Sequence, residues 1–547
     1  MTQMRRNKTW LLPVLFGVLV SLSVVWGYQL EKFDHIEPLN LVYSALFLVL
    51  SAIISFLVKT SWVFLAKKEG VYEDKELQPG YDKKTFAFVW AFIAACNLIV
   101  LLGVYPGFFV YDAQTEVIEV LSRQFTTHHP LLHVLMLGGS VAFFNKFFGN
   151  VNAGIFAYIF SQMLIMTGIF TYYLSFMKIH GAGKRIRKIV AVFFAVFPTI
   201  VMYTLCSCKD GFFSSLLVLA VLLFVRLLEE KDERKAKGIF WEIVVSGTLM
   251  MLFRHNGFYA WTVFAVLMLI IMALSKKKAD DKYASKRKLK AFALVIPVVA
   301  YLCMNMVLTA VFVTDKGTKE HQEMLTVPIQ QLGRVYAYDK SSMAPEDIET
   351  LERYLSPEGL SHYTPRCSDI LKMYFDNAEY EADKASFLRL WVKTGLSHPM
   401  SYLNSWFLTS YGYWYPFSVI NVYQGNTVFT FTYTDSSYFG YEVEEPGYRQ
   451  SLIPFIDSFY RKLSIEKFQQ NIPVISLLFA PAAYFWICIY LFLTAIVLGR
   501  DKEKLMPFML ILMVWLTVLL GPTYLVRYVI YLWYIVPVLF CITFCKD

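Results

Sequence analysis

Charge is scarce in this sequence: Asp, Glu, Lys and Arg make up 17% of its 547 residues, against roughly 25% in soluble globular proteins. That shortage excludes an ordinary soluble fold. The eight cysteines form no framework. Cys96, Cys303, Cys488, Cys541 and Cys545 lie within apolar runs, and Cys206 and Cys208 are too close in sequence to bridge comfortably. Neither a CxxC pair nor a Cys/His spacing of the zinc-binding kind occurs, so a disulfide scaffold and a structural zinc site are both excluded. A glycine-rich phosphate loop is also missing, which argues against a nucleotide cofactor. No internal repeat or low-complexity tract stands out.

What is present is apolar. Hydrophobic residues make up 57% of the chain, and they gather in blocks of about 17–25, the length that crosses a bilayer core. The first block, TWLLPVLFGVLVSLSVVWGY, follows Arg5, Arg6 and Lys8. It is long for a signal sequence and lacks a small-residue cleavage site, so it reads as a retained anchor. Thirteen such blocks can be drawn. The positive-inside bias decides between twelve and thirteen spans. If 131–148 crossed, KIHGAGKRIRK and every later basic loop would face outward. If 131–148 lies along the outer interface, all basic loops are cytoplasmic, both termini are inside and twelve spans remain.

The expected fold is therefore an all-α polytopic membrane protein. Residues 1–84 hold two spans and a cytoplasmic loop, and 85–313 a transmembrane module with an outer loop at 105–151. Residues 314–470 form a mainly helical extracytoplasmic domain, and 471–547 the last spans. The domain carries 20 acidic against 14 basic residues, whereas the inner loops are basic. The net charge of +9 is thus a topology signal with an affinity for anionic membrane lipid, not a footprint for nucleic acid.

Ionisable groups at membrane depth are costly and mark function. Here they sit where loops meet spans on the expected outer side. The stretch YPGFFVYDAQTEVIEVLSRQFTTHHPLLH supplies Asp112, Glu116, His128 and His129; CSCKDG supplies Lys209 and Asp210; RHNG supplies Arg254, His255 and Asn256; GPTYLVRY supplies Arg527 and Tyr528. Carboxylates facing cations around one outward cavity suit chemistry on a lipid-linked phosphate. The cations would stabilise the charge the phosphate gains on leaving. A carboxylate would take the proton of an incoming hydroxyl.

An aspartate just after an early span, a helix-rich outer loop with an HHP turn, then KD, RxNG and a late RY resemble the GT-C superfamily of membrane glycosyltransferases. The closest likeness is to the protein O-mannosyltransferase and aminoarabinose transferase group. The strings VPIQQLGRV and GYWYP resemble an uncharacterised bacterial branch of it. The resemblance covers the order of elements along most of the chain and implies a polyprenyl-phosphate-sugar donor, an extracytoplasmic glycan, lipid or protein acceptor, Asp112 as catalytic base and Asp210 as the second acidic residue. Two departures stand out: Ala113 follows Asp112 where that group has a second acid, and Lys209-Asp210 has one acidic member where a metal-binding branch has two. Both lean toward an inverting mechanism that requires no cofactor, with a divalent metal not indicated.

Plainer readings stay open beside these. Asp112, Glu116 and Glu119 share a helix face that could simply be solvated. His129 and His133 have the i,i+4 spacing of a metal pair, or line the pocket, or start the helix at Pro130. Lys209-Asp210 could be an ion pair at a span end, and Arg254 and Arg527 could snorkel to head groups. Gln330, Gln331 and Arg334 cap the cavity from above, or only open a helix. Aromatics make up 19 of the 59 residues in 402–460, including Tyr411, Tyr413, Trp414 and Tyr415, as a platform for sugar and lipid or as an interfacial belt. A flippase of lipid-linked saccharides is the alternative function. It predicts charges through the bilayer midplane, not at one face.

Overall fold

The computed structural model describes residues 10–69, 77–274, 281–314, 320–418, 443–466 and 468–545. The basic N-terminus with Arg5, Arg6 and Lys8, parts of two basic loops and much of the aromatic stretch lie outside the described residues. Among those described, every extended element is helical, and β-pairing is confined to isolated bridges. The chain is an all-α polytopic membrane protein. Ten helices are long and apolar enough to cross a bilayer, eleven if one bent pair counts as a single span.

In order, α1 (Leu11–Phe33) and α2 (Leu41–Glu69) form a hairpin, followed by α3 (Lys83–Gly103). A short α4 (Ala113–Ser122) and α5 (Leu131–Phe148) lead into α6 (Val151–Ile179). The pair α7 (Lys184–Val196) and α8 (Pro198–Thr204) is bent by 57°, because Pro198 starts a new helix and cannot continue the old one. Then come α9 (Asp210–Glu229), α10 (Glu233–Phe253), α11 (His255–Leu274) and α12 (Asp281–Phe312). After a layer of short helices the chain returns through α13 (Pro481–Val497), α14 (Met509–Val518) and α15 (Tyr531–Phe544). Helices α13 and α14 are short for the apolar chain around them, since Pro481 and Pro507 each begin a new helical piece.

Helix α9 is the hub. It is apolar all round, as a helix buried on every side must be, and 83% of its central window is enclosed by neighbours. Helix α2, by contrast, is 11% enclosed, leaving its apolar side chains to lipid. Helix α5 is one of those ten, and it packs on α6 at an inclination. His133 packs on Tyr158, while Ser140 donates to the carbonyl of Gly154 at 2.8 Å. Seven residues along α5, about 10 Å, thus advance the contact by four residues, about 6 Å, along α6. The helix is steeply inclined and stays against one end of its neighbour. At Gly154 the two backbones touch: a Cβ there would lie 2.6 Å from the Cα of Val141.

The described residues between 320 and 466 form a roof with a core of its own, built from Ile329, Leu332, Tyr354, Leu371, Phe387 and their neighbours. Its helices start where proline or a capping side chain dictates, as at Ser356, Pro357, Asp376 and Pro399. Arg334 donates to the Asp34 carbonyl at 2.7 Å and Arg366 to the Asp34 carboxylate at 3.1 Å, which pins the roof to the end of α1. Trp406 and Ser368 bond the carbonyls of Leu519 and Pro522, which pins it to the loop after α14.

Candidate functional site

The site begins with extended backbone. After α3, residues 108–110 run beside 205–207: Phe108 N–H donates to the Leu205 carbonyl at 3.0 Å and Ser207 N–H to the Phe108 carbonyl at 2.8 Å. On the other side Glu444 N–H donates to the Phe109 carbonyl at 2.8 Å. Three distant segments thus meet at one buried junction, and their next residues become neighbours. Gly107, at φ 119°, makes the turn into it, a backbone region open to glycine. Asp112 stands at the N-cap of α4, yet its carboxylate caps no N–H. It is free to face Lys209, the residue just before α9.

Lys209 Nζ lies 2.6 Å from Asp112 Oδ2, 3.2 Å from Glu116 Oε1 and 3.4 Å from His129 Nδ1. Arg527 Nη1 reaches the same Asp112 Oδ2 at 3.3 Å and Asp210 Oδ2 at 3.8 Å. Asp210, fully buried at the first turn of α9, is bound on its other oxygen by Arg254. Arg254 is the single extended residue between α10 and α11. Its Nε donates to Asn256 Oδ1 at 3.2 Å, and Asn256 donates on to Thr517 at 3.0 Å. Both guanidinium groups pack on the ring of Tyr528, at 4.6 and 4.8 Å from its centroid. Three cations and three carboxylates therefore balance in one cluster.

Electrostatics follow from this pairing. Burial alone would raise the Asp112 carboxyl, but Arg527, Lys209 and His129 outweigh it and hold it well below the usual carboxylate range. Burial works against Glu116 too, yet His133 and Lys209 bring it down to about 2. Burial and then the Lys209 charge push His129 down to about 4, so the ring is neutral at physiological pH and its Nδ1 can accept from the ammonium. His128, on the roof side, hydrogen-bonds Glu320 at 2.6 Å, which raises it. Glu444 stands apart. It is buried, and burial plus the Asp112 charge raise it to about 8.

A cavity of about 580 Å³ opens over this cluster. Of the residues singled out in the sequence, Asp112, His128, His129, Lys209, Asp210, Arg254, His255, Asn256, Arg527 and Tyr528 line it. Glu116 does not. It is 1% exposed and engaged by His133 and Lys209, so it braces the wall from behind. His133 spends its Nδ1 on Glu116 and does not pair with His129 in the manner of a metal ligand. Gln330, Gln331 and Arg334 lie elsewhere. Gln330 bonds the Thr364 carbonyl, Gln331 bridges Trp391 and the Tyr402 carbonyl, and Arg334 holds α1. Their helix turns its polar face into the roof, which overturns the reading that they cap the cavity. Tyr411 and Tyr413 are likewise core residues, fully buried, with the Tyr413 hydroxyl accepting from Leu525 N–H at 2.9 Å. They present no platform to the cavity.

The sequence reading missed the roof of the cavity. Lys372, 6% exposed, sits there between Glu323 at 2.8 Å and Asp369 at 2.9 Å. Nothing local distinguishes these three in a domain rich in charge. Among the described residues one group of side chains has the spacing of metal ligands: Asp112, Glu116 and His129 offer atoms within 4.8 Å of one another.

Fold and site together define a polytopic helical membrane protein with a charged, roofed cavity at the ends of its spans. The chain belongs to the DUF6020 family, a family of unknown function, whose model matches residues 120–547. The match begins within α4, just after Asp112 and Glu116. No curated protein and no solved structure matches this chain.

Proposed function

We propose that this protein is an integral membrane glycosyltransferase that moves a sugar from a polyprenyl-phosphate donor to an acceptor in the cell envelope, with the cavity facing outside and both termini in the cytoplasm. One observation carries the reading. Asp112 has one oxygen, Oδ2, pinned by Lys209 and Arg527, while Oδ1 has no hydrogen-bond partner among the described residues, and 28% of the side chain is open on the cavity. A carboxylate held ionised and aimed by cations, with one oxygen free, is what a general base needs.

The cations divide their work. The three N–H bonds of Lys209 point to Asp112, Glu116 and His129, so none remains for a substrate. Arg527 Nε–H is buried and without a hydrogen-bond partner among the described residues, where Arg254 makes hydrogen bonds only through Nε and Nη1. These two arginines are suited to hold the donor phosphate and to stabilise its charge as the sugar leaves. Asp112 would remove the proton of the acceptor hydroxyl, which then attacks the anomeric carbon. The C–O bond to phosphate breaks, its electron pair leaves with the phosphate, and the configuration inverts. Asp210 orients both guanidinium groups. The transporter alternative is less well supported, because the buried charges of the described spans, Asp210 and Arg527, lie at helix ends.

The test is turnover of polyprenyl-phosphate sugars by the purified protein, read as released polyprenyl phosphate. Asp112→Asn keeps the shape and removes the base, so a loss of about 10²-fold or more is expected with donor binding retained. Donor binding without turnover by the wild type would favour a flippase. Full activity in Asp112→Asn would assign the base elsewhere.

A further inference from the structure

Lys209 occupies the centre of a ligand set. Asp112, Glu116 and His129 come from two loops and a helix, and their nearest atoms fall within 4.8 Å of one another. Two carboxylate oxygens and a neutral imidazole nitrogen are donors that suit Mn²⁺ or Zn²⁺. Around an ion with bonds of about 2.1 Å such atoms lie up to about 4.2 Å apart, so the observed set is only slightly wider. Its middle holds the Lys209 ammonium, 2.6, 3.2 and 3.4 Å from the three donors. Hydrogen-bond lengths exceed metal–ligand lengths by well under 1.5 Å, which accounts for the extra width.

The outer contacts of the set are those of a metal site as well. His133 holds Glu116 Oε2, the oxygen that does not face Lys209, the place where a ligand-orienting group stands around a bound ion. Charge agrees with geometry. Two carboxylates and a neutral ring carry a charge of −2, and the Lys209 ammonium places a positive charge at their centre, where a bound cation would stand.

We infer that the Lys209 ammonium takes the place of a divalent metal ion: it positions Asp112, Glu116 and His129 around a fixed charge, and its removal turns the same three side chains into a metal site. Lys209 is on this account a positioning residue. It does not touch the substrate, and its role holds whatever the cavity transfers.

The experiment uses full-length protein in lipid nanodiscs with Mn²⁺ alone as probe, followed by electron paramagnetic resonance and by thermal unfolding. Wild type is expected to bind no Mn²⁺ at this place, its Tm unmoved by the ion. Lys209→Ala is expected to unfold at lower temperature, to bind about one Mn²⁺ per chain and to regain Tm when the ion is added. Lys209→Ala combined with Asp112→Asn and His129→Gln should lose both binding and recovery, a result that general loosening of the fold does not produce. Lys209→Met, which keeps the apolar stem in place, covers the case in which the alanine variant does not fold. It should bind Mn²⁺ more weakly than the alanine variant, because the stem fills the space. The inference is overturned if wild type binds Mn²⁺ in a way that Asp112→Asn abolishes, since ion and ammonium would then coexist. It is equally overturned if neither Lys209 variant, once folded, binds the ion.

Discussion

Asp112 and Lys209, 97 residues apart in the chain, share a 2.6 Å hydrogen bond in the cavity wall. The bond exists because segments 108–110 and 205–207 pair as extended backbone directly before them. It fixes which carboxylate oxygen is held and which is left to the cavity, and so turns a backbone register into the geometry of a reactive group.

Arg254 and Asp210 allow the buried cluster to be tested for stability. Asp210 is fully buried, and Arg254→Met leaves it with Arg527 alone at 3.8 Å. Losing one partner of a buried pair costs about 3–5 kcal/mol. Chemical unfolding in detergent should show a loss of that order for Arg254→Met, and a smaller loss when Asp210→Asn is added. Additive losses would mean that the pair is not coupled.

Glu444 gives a stability profile against pH. Its carboxyl is raised from the ordinary 4.5 to about 8, by burial first and then by Asp112, with Arg527 opposing. A raised acid binds its proton more tightly when folded than when unfolded. Stability is therefore lost as pH climbs from 4.5 to about 8 and is flat above. Glu444→Gln resembles the protonated form and does not titrate. Its Tm should match wild type near pH 4 and exceed it at pH 9. A difference independent of pH would contradict a protonated native Glu444.

Gly211 sets the seat of Asp210. A Cβ at this position would lie 2.3 Å from the Tyr203 carbonyl oxygen, a backbone atom that cannot swing aside. Overpacking of this kind costs about 1–3 kcal/mol, and Gly211→Ala should lower both Tm and activity. The control is Gly139→Ala in α5, where nothing lies within 4 Å and Tm should hold or rise. Equal effects of the two substitutions would remove the steric account.

The walls of the cavity were legible because charge beside an apolar span is rare and therefore informative. Asp112, Lys209, Asp210, Arg254 and Arg527 each announce themselves that way, although their pairing depends on contacts between segments 44 to 415 residues apart. Helix α5 was legible too, as the apolar block 131–148. The roof was not. Lys372 and Asp369 sit among many surface charges, and only the docking of the roof on the loop after α14 brings them over the cavity. The string VPIQQLGRV misled because amides and guanidinium can serve a buried helix interface as readily as a ligand. Glu444 was invisible for a related reason: its burial depends on a bridge to Phe109, which no local pattern encodes.

Arg527 follows Asp112 by 415 residues, and this separation has a consequence for biosynthesis. During translation Asp112 meets Lys209, and Asp210 meets Arg254, before the last helix has been made. Lys209 then faces two carboxylates, Asp112 and Glu116, so the nascent cluster holds three acids against two cations. Arg527 arrives afterwards, ties the two pairs together and supplies the missing positive charge, so a ribosome that stalls before the final helix leaves behind an inserted protein whose cluster is one positive charge short and whose site is incomplete.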